Sequence, residues 1–327
     1  MDVGLSIWLD RPAQDCAAIA TAAEAAGFST LWVPDHYFLR DSFVALALAA
    51  EKTNHIRLGT AVASPLLRHP ALLASSFATL QELSQGRAVV GIGTGGSEFP
   101  SQLGLPISQP LALVRESVEI IRALLIGAAQ MEGRVFSTAG ASLSWQPGPA
   151  PVYLAARGPR MLELAGQIAD GVITHGLAPS HLDFAHARIK AGSAAAGRPG
   201  KGCSLCLMFD FELDDDRDAA FERLRRRCLF MVGGSYAEEL ISLYGLDPEQ
   251  VRPIRAAVSR GDYETAVELI TPTMVEAFAV TGAAPTLGDT LELLSSHGVD
   301  CVILSLGGES VEESLARVER VGRVLAR

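Results

Sequence analysis

Short apolar runs recur along this chain, and each is followed by a stretch whose apolar positions return every three to four residues. The runs are Val3 to Leu9, Thr30 to Val33, Arg57 to Val62, Ala88 to Ile92, Val152 to Ala155, Gly171 to Thr174, Ser204 to Leu213 and Cys301 to Leu306. Runs this short, apolar on both faces and rich in β-branched residues, predict buried strands. The helical period between them predicts helices over 13–26, 43–52, 71–83, 111–125, 160–169, 181–196, 216–231 and 287–297, with a closing helix from 311. Strand–helix alternation repeated eight times predicts a parallel (β/α)8 barrel, the TIM barrel, over an open doubly wound sheet.

Two segments break the alternation. Around 130–146, glycines at 133 and 140 flank alternating residues and predict a hairpin inserted before the fifth barrel strand. Around 233–280 the chain carries extra helical signals after the seventh strand. In a barrel an insertion after a strand lies on the catalytic face, so this one is expected to roof a pocket and shape substrate choice. Residues 1–327 are read as one barrel domain carrying both insertions.

A net charge of −10 with no basic block argues against nucleic acid as partner. The five cysteines, an odd number scattered over helices and strands, read as reduced thiols of a cytoplasmic protein. Cys203 and Cys206 spell C-x-x-C, but on a strand residues three apart face opposite ways. No apolar stretch reaches the roughly 20 residues of a membrane span. No His, Cys and carboxylate set recurs at metal-ligand spacing, so no metal is expected.

Barrel enzymes build their sites where strands end, which raises Ser6 and Trp8, Asp35 and His36, Ala61, Val62 and Ser64, the Gly93 to Glu98 run, Ala156 to Pro159, Thr174 and His175, and Leu306 to Gly308 as candidates. Gly91-x-Gly93-x-x-Gly96 matches the dinucleotide fingerprint as a pattern, yet Ser97-Glu98-Phe99-Pro100 follows where a helix should begin. The glycines instead suggest backbone drawn close to something bulky. Gly59 to Ser64 ends the third strand in small residues, which lets a flat ring rest on the main chain. Arg157-Gly158-Pro159-Arg160 opens a helix with Pro159 suited to its first turn, a ready anion site for a phosphate-bearing cofactor. Asp35 reads either as a helix cap or as a site carboxylate, and His36 either as a structural hydrogen-bonder or as a site imidazole.

In this order, Leu31 to Tyr37, Arg57 to Pro70, Arg87 to Gly95, Pro110 to Leu124, Pro151 to Ile173 and Tyr244 to Gly282 resemble the luciferase-like flavin barrels. Within them the chain is most similar to the branch using the 5-deazaflavin coenzyme F420 in place of FMN, and there to methylenetetrahydromethanopterin reductases. The resemblance implies a non-proline cis peptide at Ala61-Val62 behind the deazaflavin ring, and a coenzyme phosphate held at Gly158 and Pro159. It implies that Asp35, His36, Gly93, Thr94 and Gly95 surround the ring and ribityl chain, with Gly59, Ala156, Arg157 and Thr174 completing the cofactor set. FMN monooxygenases tend to carry serine and threonine at that helix start, so Arg157-Gly158-Pro159 favours F420.

The same reductases carry a glutamate where Ser6 stands and an aspartate where Gly96 stands, so two substrate-side acids are absent here. Ser6, Gly96 and His175 are taken as substrate-facing positions, and His36 and Glu98 as candidates to supply a proton. The implied activity is hydride transfer between F420 and a small organic substrate, a methylene-tetrahydropterin, alcohol, aldehyde or imine. An FMN-dependent two-component monooxygenase and a non-catalytic deazaflavin-binding protein are the alternatives. The resemblance also implies a homodimer or homotetramer.

Overall fold

Each of the eight apolar runs is a strand, because each packs a helix layer on its outer face and the barrel interior on its inner one. The structure is a computed structural model and describes residues 1–36, 38–95, 103–198, 202–214, 216–234, 236, 238–307 and 310–326. Its strands are β1 (Asp2–Ile7), β2 (Thr30–Val33), β3 (Arg57–Thr60), β4 (Ala88–Ile92), β5 (Ala128–Glu132), β6 (Ser137–Ser142), β7 (Val152–Ala155), β8 (Gly171–Thr174), β9 (Ser204–Leu213), β10 (Ala279–Gly282) and β11 (Cys301–Leu306). The helices are α1 (Ala13–Ala25), α2 (Ser42–Lys52), α3 (Pro70–Leu83), α4 (Pro110–Ile126), α5 (Pro159–Ile168), α6 (Pro179–Ala195), α7 (Arg217–Arg227), α8 (Leu229–Val232), α9 (Glu238–Leu243), α10 (Pro248–Ser259), α11 (Tyr263–Glu268), α12 (Pro272–Glu276), α13 (Ala284–Ser296) and α14 (Val311–Leu325).

Strands β1-β2-β3-β4-β7-β8-β9-β11 pair in parallel and β11 returns to β1, closing a (β/α)8 TIM barrel. The hairpin is β5 and β6, starting at Ala128, slightly earlier than the sequence pattern places it. The carboxylate of Glu116 in α4 holds its turn by accepting from the backbone N–H groups of Arg134, Val135 and Phe136 at 2.8–2.9 Å. Two details differ from the sequence expectation. The helix expected over 216–231 is two helices, broken at Cys228, where the chain steps from α7 into the roof. A ninth strand, β10, pairs with Asp210 to Leu213, the upper half of β9. It exists because β8 stops at Thr174 opposite Leu207, which leaves that edge of the longer β9 open.

Alternation along each strand sorts side chains between two cores. Leu5, Leu31, Leu58, Val90, Leu154, Val172, Leu207 and Leu304 face the helices in the largest cluster. Trp32, Val89, Ile173, Cys206, Cys301 and Ile303, with Tyr153 and Met208 packed on them, fill the barrel interior. The rings of Trp32 and Tyr153 meet edge to face at 5.5 Å and plug the barrel's lower half. Two small positions make room for them: a methyl carbon on Gly59 would sit 3.0 Å from Trp32, and one on Gly171 would sit 2.2 Å from Tyr153.

Gly171→Ala is therefore expected to lower stability by about 1–3 kcal/mol through overpacking, read as a lower urea midpoint at unchanged slope. Paired with Tyr153→Leu the loss should be less than additive. A strictly additive double mutant would show that the two positions do not compete for space.

Candidate active site

The mouth is built where β3 and β4 approach most closely. Thr60 Oγ donates to the carbonyl of Gly91 at 2.7 Å, and a methyl carbon on Gly91 would fall 1.6 Å from the Thr60 carbonyl oxygen. Only glycine fits there. Beyond it the chain bulges: the Ala61-Val62 peptide is cis, Ala61 N–H bonds Val33 O, Ala63 N–H bonds Gly91 O, and Gly93 N–H bonds Ala63 O at 2.9–3.1 Å. Val62 points into the space that a side chain on Gly93 would need, 2.8 Å from Val62 Cγ2 and 2.9 Å from Ala155 Cβ. The result is a wall of Ala61, Val62, Gly93 and Ala155 with no polar side chain. Ser64 Oγ donates to the carbonyl of Thr94 at 3.3 Å and pins the loop that continues to Gly95.

The next rim segment enters α5. Gly158 is its N-cap with no side-chain cap, Pro159 takes the first turn, and a methyl carbon on Gly158 would meet nothing within 4 Å. Among the described residues, the positive end of this ten-residue helix therefore opens onto free space beside the Gly93 to Gly95 loop, since β7 neighbours β4. Arg157 does not flank that helix start with its charge. Its guanidinium donates to the Met231 sulfur at 2.8 Å and lies over the Tyr236 ring, with 5.6 Å to the centroid. It thus anchors the roof, a second apolar cluster built from α7 to α12 around Tyr244, Val251, Ile254 and Phe278. Arg160 is exposed.

Asp35 is neither cap nor free carboxylate. Arg68 donates to both its oxygens at 2.9 and 3.2 Å and Ser42 Oγ adds a bond of 2.8 Å, while Asp41 caps α2 by accepting from Phe43 and Val44 N–H. Arg68 also bonds Asp41 at 2.6 Å, so one guanidinium ties the rim segment after β2 to the one after β3. Burial acts against ionisation of Asp41, but the Arg68 and backbone hydrogen bonds outweigh it and lower its pKa. His36 lies between Trp8 and Phe38, each ring 5.8 Å away, and its Nδ1 accepts from Phe38 N–H. Burial lowers its pKa despite the opposing charge of Asp35, which favours a neutral ring with Nε2–H as donor.

Of the remaining candidates, His175 and Ser6 share the parity of the interior residues Ile173 and Gly4, whereas Thr174 and Ala156 share that of Val172 and Leu154 on the helix side. Gly59 lies one layer below the mouth, against Trp32. Gly96, Glu98 and Gly308 lie outside the described residues. His175 Nδ1 bonds the carbonyl of Met208 at 3.0 Å; a carbonyl only accepts, so the proton sits on Nδ1 and Nε2 is an acceptor. Burial first, then the charge of Arg157, push its pKa down to about 3, and the same causes, with burial dominant, take His181 under the roof to about 4.

The polar side of the mouth is legible only in register. Ser6 pairs with Ser305 and Ser305 with Asp210, which places three inward polar side chains in one layer across β1, β11 and β9. Asp210 is ion-paired with Arg227, whose Nη2 also donates to the Ser305 carbonyl at 2.8 Å. Sequence reading passed over this pair; the signal was Asp210-x-Glu212, two acids two apart at the end of an otherwise apolar strand. A cleft of about 490 Å3 between α4 and α5 lies at the opposite end of the barrel. There Arg122 and Arg198 are engaged with Asp170 and with backbone carbonyls. Among the described residues no metal-ligand cluster occurs and no helix is long and apolar enough to cross a membrane.

Comparison with known proteins bears on this geometry directly. The sequence profile of the luciferase-like monooxygenases matches residues 4–301. A 5,10-methylenetetrahydromethanopterin reductase of Methanolobus tindarius is 33% identical over 305 residues, covering 93% of each chain. An F420-dependent glucose-6-phosphate dehydrogenase of Nakamurella multipartita is 35% identical over 227 residues, 64% of this chain and 67% of that one. The solved coenzyme F420-dependent tetrahydromethanopterin reductase of Methanopyrus kandleri superposes with a TM-score of 0.88 at 31% identity, covering 98% of this chain and 97% of that one.

The electrostatics of the roofed side can be tested by histidine NMR. His175 should stay neutral at pH 5, and Arg157→Met should raise its pKa, because a cation is removed. Both His175 and His181 have folded pKa values below the ordinary 6.5, so their contribution to stability is present above pH 6.5 and is lost as pH falls toward about 4 and 3. A midpoint near 6.5 at His175 would contradict this account.

Proposed function

We propose that this chain, which belongs to the luciferase-like monooxygenase family, is a coenzyme F420-dependent oxidoreductase acting on a small organic substrate. The relationship that carries the reading is the 31% identity and TM-score of 0.88, over 98% of this chain, to a solved F420-dependent enzyme. When bound, F420 supplies two electrons together with a hydrogen, as hydride. It is an obligate hydride carrier, so the chain's own task is to align, to exclude water and to place a proton.

The residues present fit such a group. The wall of Ala61, Val62, Gly93 and Ala155 offers a flat apolar backing, with Thr94 and Gly95 at its edge, and the start of α5, which has no side-chain cap, offers the backbone N–H groups of Gly158 and Arg160, on either side of Pro159, to a phosphate. Asp35 acts on this site through Arg68 by fixing the loop that carries His36. Trp32 and Tyr153 close the floor, and the roof anchored by Arg157 closes the side above β7 and β8. His36, whose burial lowers its pKa and favours the neutral ring, and Glu98 are the groups that would hold a proton for the substrate.

The barrel and its two insertions form one catalytic domain in this reading. Five unpaired thiols suit a reducing, cytoplasmic setting. The assembly is a homodimer or homotetramer. Val44 is 58% exposed and Leu72 64%, on neighbouring α2 and α3, where Val44, Ala47, Leu80 and Leu83 line an apolar groove that a second copy would cover. Val44→Glu should then shift sedimentation at micromolar concentration toward the monomer; a monomeric parent protein would refute the assembly.

Fluorescence titration tests the cofactor. F420 should be bound and quenched, whereas tight FMN binding without any response to F420 would reverse the assignment toward an FMN monooxygenase. Gly158→Asp is a sharper probe. Space is open at Gly158 and aspartate is a better N-cap, so thermal stability should hold or rise by a few tenths of a kcal/mol. Yet F420 affinity should fall at least about tenfold, because a carboxylate would occupy the amides and repel the phosphate. Unchanged affinity would remove the phosphate from this helix start.

A further inference from the structure

Across the mouth from the apolar wall, one charged group is held in place with a donor to spare. Arg227 comes from the last turn of α7 and reaches over the ends of β9 and β11. Its Nη2 is occupied by Asp210 and by the Ser305 carbonyl, but Nη1 is buried and has no hydrogen-bond partner among the described residues. Its direction follows from Gly307. That residue has the parity of Cys301 and Ile303, which fill the barrel interior, and a methyl carbon on Gly307 would lie 2.2 Å from Nη1. The free end of the guanidinium therefore stands on the inner side of β11, just above the layer of Ser6, Ser305 and Asp210.

A buried cationic N–H without an acceptor is costly, and proteins retain such groups where a ligand completes them. Ser6 Oγ in the layer below is likewise buried and unpartnered. Resting on the F420 reading above, we infer that Arg227 is a substrate-anchoring residue. Its Nη1 donates to an accepting oxygen of the substrate, a carbonyl, carboxylate or phosphate oxygen, and Asp210 positions it. The chain lacks acids at Ser6 and Gly96, and an arginine at this wall gives it a site that reads substrate oxygen by donation rather than substrate N–H by acceptance. Asp210 and the Ser305 carbonyl clamp the planar fork, so the charge is preorganised and its position does not depend on a flexible stem.

The test separates substrate from cofactor. Wild type, Arg227→Lys, the charge-neutral double variant Asp210→Asn with Arg227→Gln, and Gly307→Ala are each titrated with F420 by fluorescence. They are then assayed for reoxidation of reduced F420 by methylenetetrahydromethanopterin, methylenetetrahydrofolate and acetone, and for reduction of F420 by glucose 6-phosphate. With the probe that wild type turns over, the double variant should raise KM by about tenfold or more, the loss of one charge-assisted hydrogen bond, while F420 affinity stays within about twofold. Arg227→Lys should recover part of the loss, and Gly307→Ala, which displaces the guanidinium without discharging it, should raise KM in the same direction. The double variant keeps the buried site uncharged, so a folding defect from an orphaned Asp210 does not obscure the result. An unchanged KM, or a loss of F420 affinity equal to the loss in KM, overturns the inference. Turnover of none of these oxygen-bearing probes by wild type overturns it as well, and the F420 titration then decides separately whether the cofactor reading stands.

Discussion

Everything at the mouth depends on how closely β3 and β4 approach. A carbonyl of one strand occupies the place a side chain on Gly91 would take, and two positions later Val62 occupies the place of a side chain on Gly93. Close approach of this kind can be supported only by glycine, and it forces the chain after Thr60 to leave the ladder and bulge inward. The bulge is then secured on three sides by backbone hydrogen bonds to Val33, Gly91 and Ala63. A polar or bulky residue at either glycine would fill the recess that makes the wall flat.

Seen from that wall, the barrel is polarised. One flank, from β3 to β7, is small and apolar and ends in a helix start with unpaired amides. The other, from β9 through β11 to β1, carries Asp210, Ser305, Ser6 and the clamped Arg227. The floor between them is aromatic. Such a division suits a reaction in which a flat carrier needs contact without competition from polar side chains, while its reaction partner needs orientation by hydrogen bonds.

Charge is distributed on the same plan. The carboxylate of Asp35 and the guanidinium of Arg157, both at strand ends, are committed to holding loops: one joins the rims of β2 and β3, the other fastens the roof. Arg157 has a second effect at a distance, since its charge together with burial keeps His175 and His181 neutral. His175 is thus held as a neutral ring whose Nδ1–H donates to the Met208 carbonyl.

The eight strands, their helices and both insertions were readable along the chain, because burial on both faces leaves an uninterrupted apolar run and a helix leaves its period in the sequence. The rim position of Ala61, Gly93, Gly158 and His175 followed from the barrel rule alone. Three features were not readable. The strand Ala279–Gly282 forms only because β8 ends early beside a longer neighbour. Asp35 exchanges a capping role for an ion pair with a residue 33 positions away. Thr174 differs from His175 in facing the helices, which depends on where the strand begins its alternation. The sequence by itself determined which segments are strands and helices and which small residues end them, since those are matters of local hydrophobicity and backbone preference. The tertiary structure alone decided which charges meet, Arg68 with Asp35, Arg157 with the roof and Arg227 with Asp210, because parallel register and barrel closure juxtapose groups that no spacing along the chain encodes.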